Sequence, residues 1–185
     1  MSLPNIISFA RICFIPPFVL CVMQVQHHNV YRYVALGLLL IIGLSDVLDG
    51  YLARKWGKIT NFGKYLDPIA DKLILVVACL LLSSDKLWPE PRFPYWVSTV
   101  IISREVFLTL GLIAAFIILK RKIDCSPNKL GRLTTFLQVT AIIAVLLGNH
   151  LSLTTLFVLW WLVAIITSIS AVNYTYRAVK KLYIN

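Results

Sequence analysis

SDVLDGYLARKWGKITNFGKYLDPIADK (Ser45–Lys72) lies between two long apolar runs and holds four aspartates, half of the eight acidic residues in a 185-residue chain. Asp46 and Asp49 are three residues apart; Asp67 and Asp71 are four apart. Both spacings put a pair of side chains on one face of a helix. If the flanking runs are helices, the stretch is the turn where one helix ends and the next returns. The two pairs then lie at the same end and depth of neighbouring antiparallel helices, and four carboxylates converge.

The rest of the chain says what surrounds that turn. Hydrophobic residues make up 59% and charged residues 14%, whereas a soluble domain is about a quarter charged. Lipid rather than water is the expected solvent. Apolar stretches of spanning length predict helices over 5–25, 31–55, 62–84, 93–119, 128–148 and 152–180, with no linker or composition shift between them. The expectation is an all-α integral membrane protein, six transmembrane helices in one bundle, forming a single domain over 1–185. No basic region precedes the first apolar run and no small-residue cleavage site follows it, so it does not read as a secretory signal.

Charge sets the orientation. Arg54, Lys55, Lys58, Lys64, Lys120–Lys122, Lys129, Arg132, Arg177, Lys180 and Lys181 fall on one side; Arg32, Lys86 and Arg92 fall on the other. The richer side is cytoplasmic, which places both termini and the four aspartates there. The net charge of +10 suits anionic headgroups or phosphorylated substrates. Nucleic acid is not an expected partner, because no soluble basic domain exists to carry that charge. Cys13, Cys21, Cys79 and Cys125 show no CxxC spacing; the three in apolar runs read as small buried hydrophobes. His27, His28 and His150 fall on the outer side. Trp88, Tyr95, Trp96, Trp160, Trp161 and Tyr183 near helix ends read as belt or packing residues.

Four carboxylates at the edge of a low-dielectric region repel one another and are poorly solvated unless a cation joins them. Oxygen ligands without nearby His or Cys select Mg²⁺, Mn²⁺ or Ca²⁺ over zinc. Four carboxylates over-neutralise one divalent ion, so two are expected, an arrangement recurrent in phosphoryl-group displacement. Gly50 and Gly63 adjoin the acids and leave bare backbone there, for close approach of a ligand or of another helix. Salt bridges to Arg54, Lys64 or Lys72 are the structural alternative for the aspartates. A divalent-cation transporter is a remote alternative, because its carboxylates would continue across the bilayer, and the outer halves of helices two and three carry none.

Asp46-x-x-Asp49-Gly50-x-x-Ala53-Arg54, eight residues, then Gly63-x-x-x-Asp67-x-x-x-Asp71 resembles the CDP-alcohol phosphatidyltransferase motif at every defined position. The likeness extends over nearly the whole chain: LPNIISFARICFIPP is similar to the family's amino-terminal segment, and IISREV and NKLGRLTT to its fourth and fifth helix segments. The resemblance implies a six-helix membrane enzyme, usually a homodimer, with two divalent cations, Mg²⁺ or Mn²⁺. It implies transfer of a phosphatidyl group from CDP-diacylglycerol to an alcohol, with release of CMP. On the matching positions, Asp46, Asp49, Asp67 and Asp71 are metal ligands and Asp71 is also the general base. Gly50, Ala53, Arg54 and Gly63 belong to the donor nucleotide pocket.

Further positions follow from charge within helices. Arg104, near the middle of the fourth helix, reads as an anion clamp or as an ion-pair partner of Glu105. Arg132, Lys129 and Arg11 are candidates for acceptor or phosphate binding, and Lys120–Lys122 for headgroup binding. The resemblance is closest to the branch that makes phosphatidylglycerophosphate and cardiolipin. Glycerol 3-phosphate users of that family generally carry a second arginine where this chain has Leu112, and G-K-x-K-T where it reads Gly131-Arg132-Leu133-Thr134-Thr135. The departures remove positive charge, so phosphatidylglycerol, a cardiolipin-synthase-like choice, is the expected acceptor; glycerol 3-phosphate is the alternative.

Overall fold

A computed structural model describes the backbone of residues 3–56, 63–119 and 129–183, and the side chains of 12–45, 72–111, 130–148 and 150–177. Six α-helices follow in chain order: α1 (Leu3–Gln24), α2 (Val30–Trp56), α3 (Gly63–Ser83), α4 (Tyr95–Leu119), α5 (Lys129–Leu147) and α6 (Leu153–Tyr183), with a 3₁₀ turn at Gly148–His150. There is no strand among the described residues. The predicted boundaries are met to within three residues. α4 starts two residues late because the Pro94 carbonyl accepts the first helical amides, from Val97 and Ser98.

The interior is narrow and built partly from small residues. Ala35 of α2, Ala78 of α3 and Ala141 of α5 are fully buried beside Phe18, Leu82, Val97, Ile101 and Ile142. Small side chains let helix axes approach closely, the main source of helix association where lipid is as apolar as leucine. The outer surface is apolar too: Val172, Phe136, Leu110 and Phe107 are all more than half exposed. Such an exterior suits hydrocarbon rather than water. By length and composition, Leu130–Leu147 and Leu153–Arg177 are long and apolar enough to span a membrane; the described apolar parts of α1, α2 and α3 are shorter. Cys79 is buried as expected, but Cys13 is exposed on the outer surface, where a thiol is tolerated as a weakly polar group.

The helix pairing differs from the simplest sequence expectation. Among the described residues, α2 and α3 are not one of the substantial pairs; each packs instead on α1 and on α5, while α4 packs on α3 and α6, and α6 on α5. α1 and α5 thus brace the two aspartate-bearing helices. Their exposed faces and the length of each helix leave more apolar surface to cover than a two-helix hairpin supplies.

The α1–α2, α3–α4 and α5–α6 connections meet at one end. Gln26 Nε2 donates to the Lys86 carbonyl at 2.6 Å, the Tyr33 hydroxyl meets His150 Nε2 at 3.1 Å, and the Arg32 guanidinium lies 5.0 Å above the Trp88 ring. Trp88 is fully buried, a packing residue and not a belt one. Trp96 and Trp161 pack against each other, tilted at 46° with ring centroids 5.0 Å apart, on the exposed surface, as belt residues do. Helix continuity carries the carboxyl-terminal turns of α2 and the first turns of α3 to the opposite end, together with the start of α1 and the end of α6.

Gly148 holds φ +66°, and a Cβ there would lie 1.6 Å from Arg32 Nη1. The glycine is needed twice, for a left-handed backbone and for the space the guanidinium fills. Gly148→Ala is expected to lower stability by about 1–2 kcal/mol from the backbone alone, read as a lower melting temperature in detergent. An unchanged melt would show that the turn relaxes freely.

Candidate active site

The backbone is helical through Asp46 and Asp49 in α2 and through Asp67 and Asp71 in α3. The side chains of these four residues, and of Gly50, Ala53, Arg54, Gly63, Arg11, Lys129 and Leu112, lie outside the described residues, as does the whole Lys120–Lys122 segment. No cluster of three His, Cys, Asp or Glu side chains occurs among the described residues; the carboxylate set of α2 and α3 is the donor group whose chemistry fits a hard divalent cation.

One residue beyond Asp71, the described side chains begin, and they begin with a charge network. Lys72 Nζ lies 3.8 Å from Glu105 Oε2 of α4 and donates to the Thr109 hydroxyl at 3.2 Å. The other carboxylate oxygen of Glu105 takes Arg104 Nη1, and Arg104 Nη2 donates to the Ser170 hydroxyl of α6 at 3.3 Å. Gly131, in the first turn of α5, puts its missing Cβ 3.8 Å from the same Nη2. Four helices therefore meet at the Arg104–Glu105 pair, close in sequence to the aspartates of α3.

Arg104 and Glu105 are both buried, at 8% and 3% exposure. Isolated, either charge would carry a desolvation penalty of several kcal/mol. Together they offset much of it, and Lys72 joins from a half-buried position. Two cations around one carboxylate leave a charge of +1. Arg104 Nε is buried with no hydrogen-bond partner. The Glu105 ion pair read from sequence is present, and the guanidinium still has a donor to give.

Arg132 is exposed in the first turn of α5 and makes no ion pair among the described residues. Deeper in the bundle, Gln138 is fully buried, donating to Thr167 at 3.5 Å across α5 and α6. The sequence reading treated Lys72 only as a possible partner for the aspartates and gave Glu105 no part beyond pairing with Arg104. The signal that finds them is their position: each is one step along its helix from a residue already singled out.

The comparisons with known proteins agree with this arrangement. The CDP-alcohol phosphatidyltransferase family model matches residues 1–172. A CDP-diacylglycerol–glycerol-3-phosphate 3-phosphatidyltransferase of Bacillus subtilis is 37% identical over 158 residues, covering 80% of this chain and 78% of the relative. One of the same name from Rickettsia felis is 33% identical over 189 residues, 98% of this chain and 97% of the relative. A cardiolipin synthase (CMP-forming) of Streptomyces coelicolor is 34% identical over 152 residues, 80% of this chain and 66% of the relative. With the motif in α2 and α3 and a match over nearly its whole length, the chain belongs to the CDP-alcohol phosphatidyltransferases, a family of membrane transferases that generally use divalent metal ions.

Proposed function

We propose that this protein transfers the phosphatidyl group of CDP-diacylglycerol to glycerol 3-phosphate, as a phosphatidylglycerophosphate synthase. It does so as a single domain over residues 1–185 that crosses the membrane six times. Both termini and the four aspartates face the cytoplasm, and two copies pair as a homodimer, as the family resemblance implies. The observation that carries the acceptor is the Rickettsia felis relative, matched over 98% of this chain and named for glycerol 3-phosphate.

This reverses the acceptor favoured by the sequence reading. That reading subtracted positive charge at Leu112 and in Gly131–Thr135 but did not add Lys72. The Lys72–Glu105–Arg104 network keeps a net positive charge one residue along α3 from Asp71, and Lys129 and the exposed Arg132 follow in sequence at the start of α5. A dianionic phosphate monoester is served by that set. Phosphatidylglycerol remains the second reading because of the Streptomyces relative.

In the proposed reaction Asp46, Asp49, Asp67 and Asp71 hold two Mg²⁺ or Mn²⁺ ions, which when bound neutralise charge on the donor pyrophosphate and on departing CMP. Gly50, Ala53, Arg54 and Gly63 form the nucleotide pocket, where glycines leave the backbone open to the ligand. The acceptor hydroxyl oxygen attacks the phosphatidyl phosphorus, its proton passes to Asp71, and the bond from phosphorus to the CMP oxygen breaks. Arg104, tethered by Glu105 and Ser170, holds the acceptor phosphate through its free donor; Arg132, Lys129 and Arg11 add positive potential. The same four carboxylates at one end of α2 and α3 argue against an ion path, which would need acids along the outer halves of both helices.

The deciding assay offers CDP-diacylglycerol with glycerol 3-phosphate or with phosphatidylglycerol, separately, to purified protein. Phosphatidylglycerophosphate is the expected product, lost in excess EDTA and restored by Mg²⁺ or Mn²⁺. Cardiolipin as the sole product would overturn the acceptor, and full turnover in EDTA the metal site.

The aspartates are expected to divide their work. Asp71→Asn retains CMP binding within a few-fold while transfer falls about 100-fold or more; Asp46→Asn loses nucleotide affinity as well. Equal loss of CMP binding in both variants removes the case for Asp71 as base. The network makes a separate forecast about stability. Glu105→Gln strands two cations and should destabilise by about 3–5 kcal/mol. Arg92→Gln, which breaks the exposed Arg92–Asp85 pair at 3.0 Å, should lose about 0–1 kcal/mol. Equal melting temperatures in detergent would deny Glu105 its organising role.

A further inference from the structure

At the end of the bundle opposite the aspartates, Arg32 is a buried cation with no counter-ion among the described residues. It is 8% exposed, and its Nε is buried with no hydrogen-bond partner. Its one described interaction is with the Trp88 ring at 5.0 Å, and the bare backbone of Gly148 makes room for the guanidinium. Asp85 and Glu90, the two acids at this end, are already engaged. Arg92 binds Asp85 at 3.0 Å and Glu90 at 3.3 Å, and Tyr95 donates to Asp85 at 2.7 Å. Arg32, Lys86 and Arg92 against Asp85 and Glu90 leave this end at +1.

A guanidinium carries five donors, and leaving it buried and unpaired costs several kcal/mol. The structure also gives it somewhere to point them. A cleft of about 280 Å³ is lined by Asn29, Arg32, Tyr33, Glu90, Leu147 and His150. The volume is small for a drug-sized ligand, whose pockets start at about 300 Å³, and suits one compact polar group. Asn29 and the hydrogen-bonded pair Tyr33–His150 add polar groups around the rim.

We propose that this cleft is an anion site that takes a phosphate group, with Arg32 as its charged ligand and Tyr33, Asn29 and His150 around it. Arg32 and Asp46 are fourteen residues apart on one helix, about 21 Å at 1.5 Å per residue, so the site is separate from the transferase chemistry and does not depend on that reading. The phosphate comes from a phospholipid headgroup at the membrane surface or from free phosphate.

The test is thermal denaturation of the full-length protein in detergent at fixed ionic strength. The probes are inorganic phosphate, dihexanoyl phosphatidylglycerol, and dihexanoylglycerol as a control without phosphate. A saturable rise in melting temperature is expected with a phosphate-bearing probe and none with dihexanoylglycerol. Saturation by the lipid at lower concentration than by inorganic phosphate identifies a headgroup site; the reverse order identifies free phosphate. Arg32→Gln should weaken the apparent Kd about tenfold or more. His150→Glu, which sets a competing carboxylate in the cleft from an exposed position, should do the same and decides the matter if Arg32→Gln fails to fold. Phosphates bound at the aspartate end contribute equally to wild type and variants. No saturable shift with either phosphate probe, or an unchanged Kd in the variants that fold, overturns the proposal.

Discussion

Hydrocarbon solvates no charge, so an ionised group buried in this bundle is costly unless an opposite charge or polar partner lies within a few ångströms. The carboxylate of Glu105 is where that constraint is met. Lys72 approaches one oxygen from α3 and Arg104 the other from α4. Arg104 continues to Ser170 on α6 and lies against Gly131 on α5. The Arg104–Glu105 pair thus links four helices. Because Lys72 follows Asp71 directly, the link lies next in sequence to the aspartates of α3. Positioning and solvation are accomplished by the same contacts.

The two ends of the bundle treat charge differently. Toward the aspartate end, Lys72, Arg104 and Glu105 gather charge of both signs inside the bundle. At the other end, Arg92 holds Asp85 and Glu90 in exposed pairs, which contribute little to stability, and Arg32 is left buried over Trp88. The interior between them is apolar and tightly packed through Ala35, Ala78 and Ala141. That packing is what allows short polar side chains such as Thr109 and Ser170 to reach across helices.

Charge counting by position takes in only part of the potential at a site. Leu112 and Thr134 occupy places where a basic residue was looked for, and the subtraction favoured phosphatidylglycerol over glycerol 3-phosphate. Positive potential at a site is a sum over space, however, and Lys72 reaches it from a different helix. A lysine next to an aspartate in sequence reads as that aspartate's partner; here it bonds to Glu105, thirty-three residues away.

By itself the sequence determined the all-helical class, the six apolar segments and the carboxylate spacing, because hydrophobic length and a period of 3.6 residues are local properties. It also determined the family, since the aspartates, glycines and Arg54 stand at fixed intervals within one stretch. Helix partners were decided only in three dimensions. Proximity in sequence suggested α2 against α3, whereas among the described residues both pack on α1 and α5, because buried area depends on which faces fit. The same holds for Arg104: its sequence neighbour Glu105 was visible, but Lys72, Ser170 and Gly131 come from three other helices. Arg32 and Gly148 are 116 residues apart, and no periodicity links them; a guanidinium and a bare backbone meet there because the α1–α2, α3–α4 and α5–α6 connections close on one another at that end of the bundle.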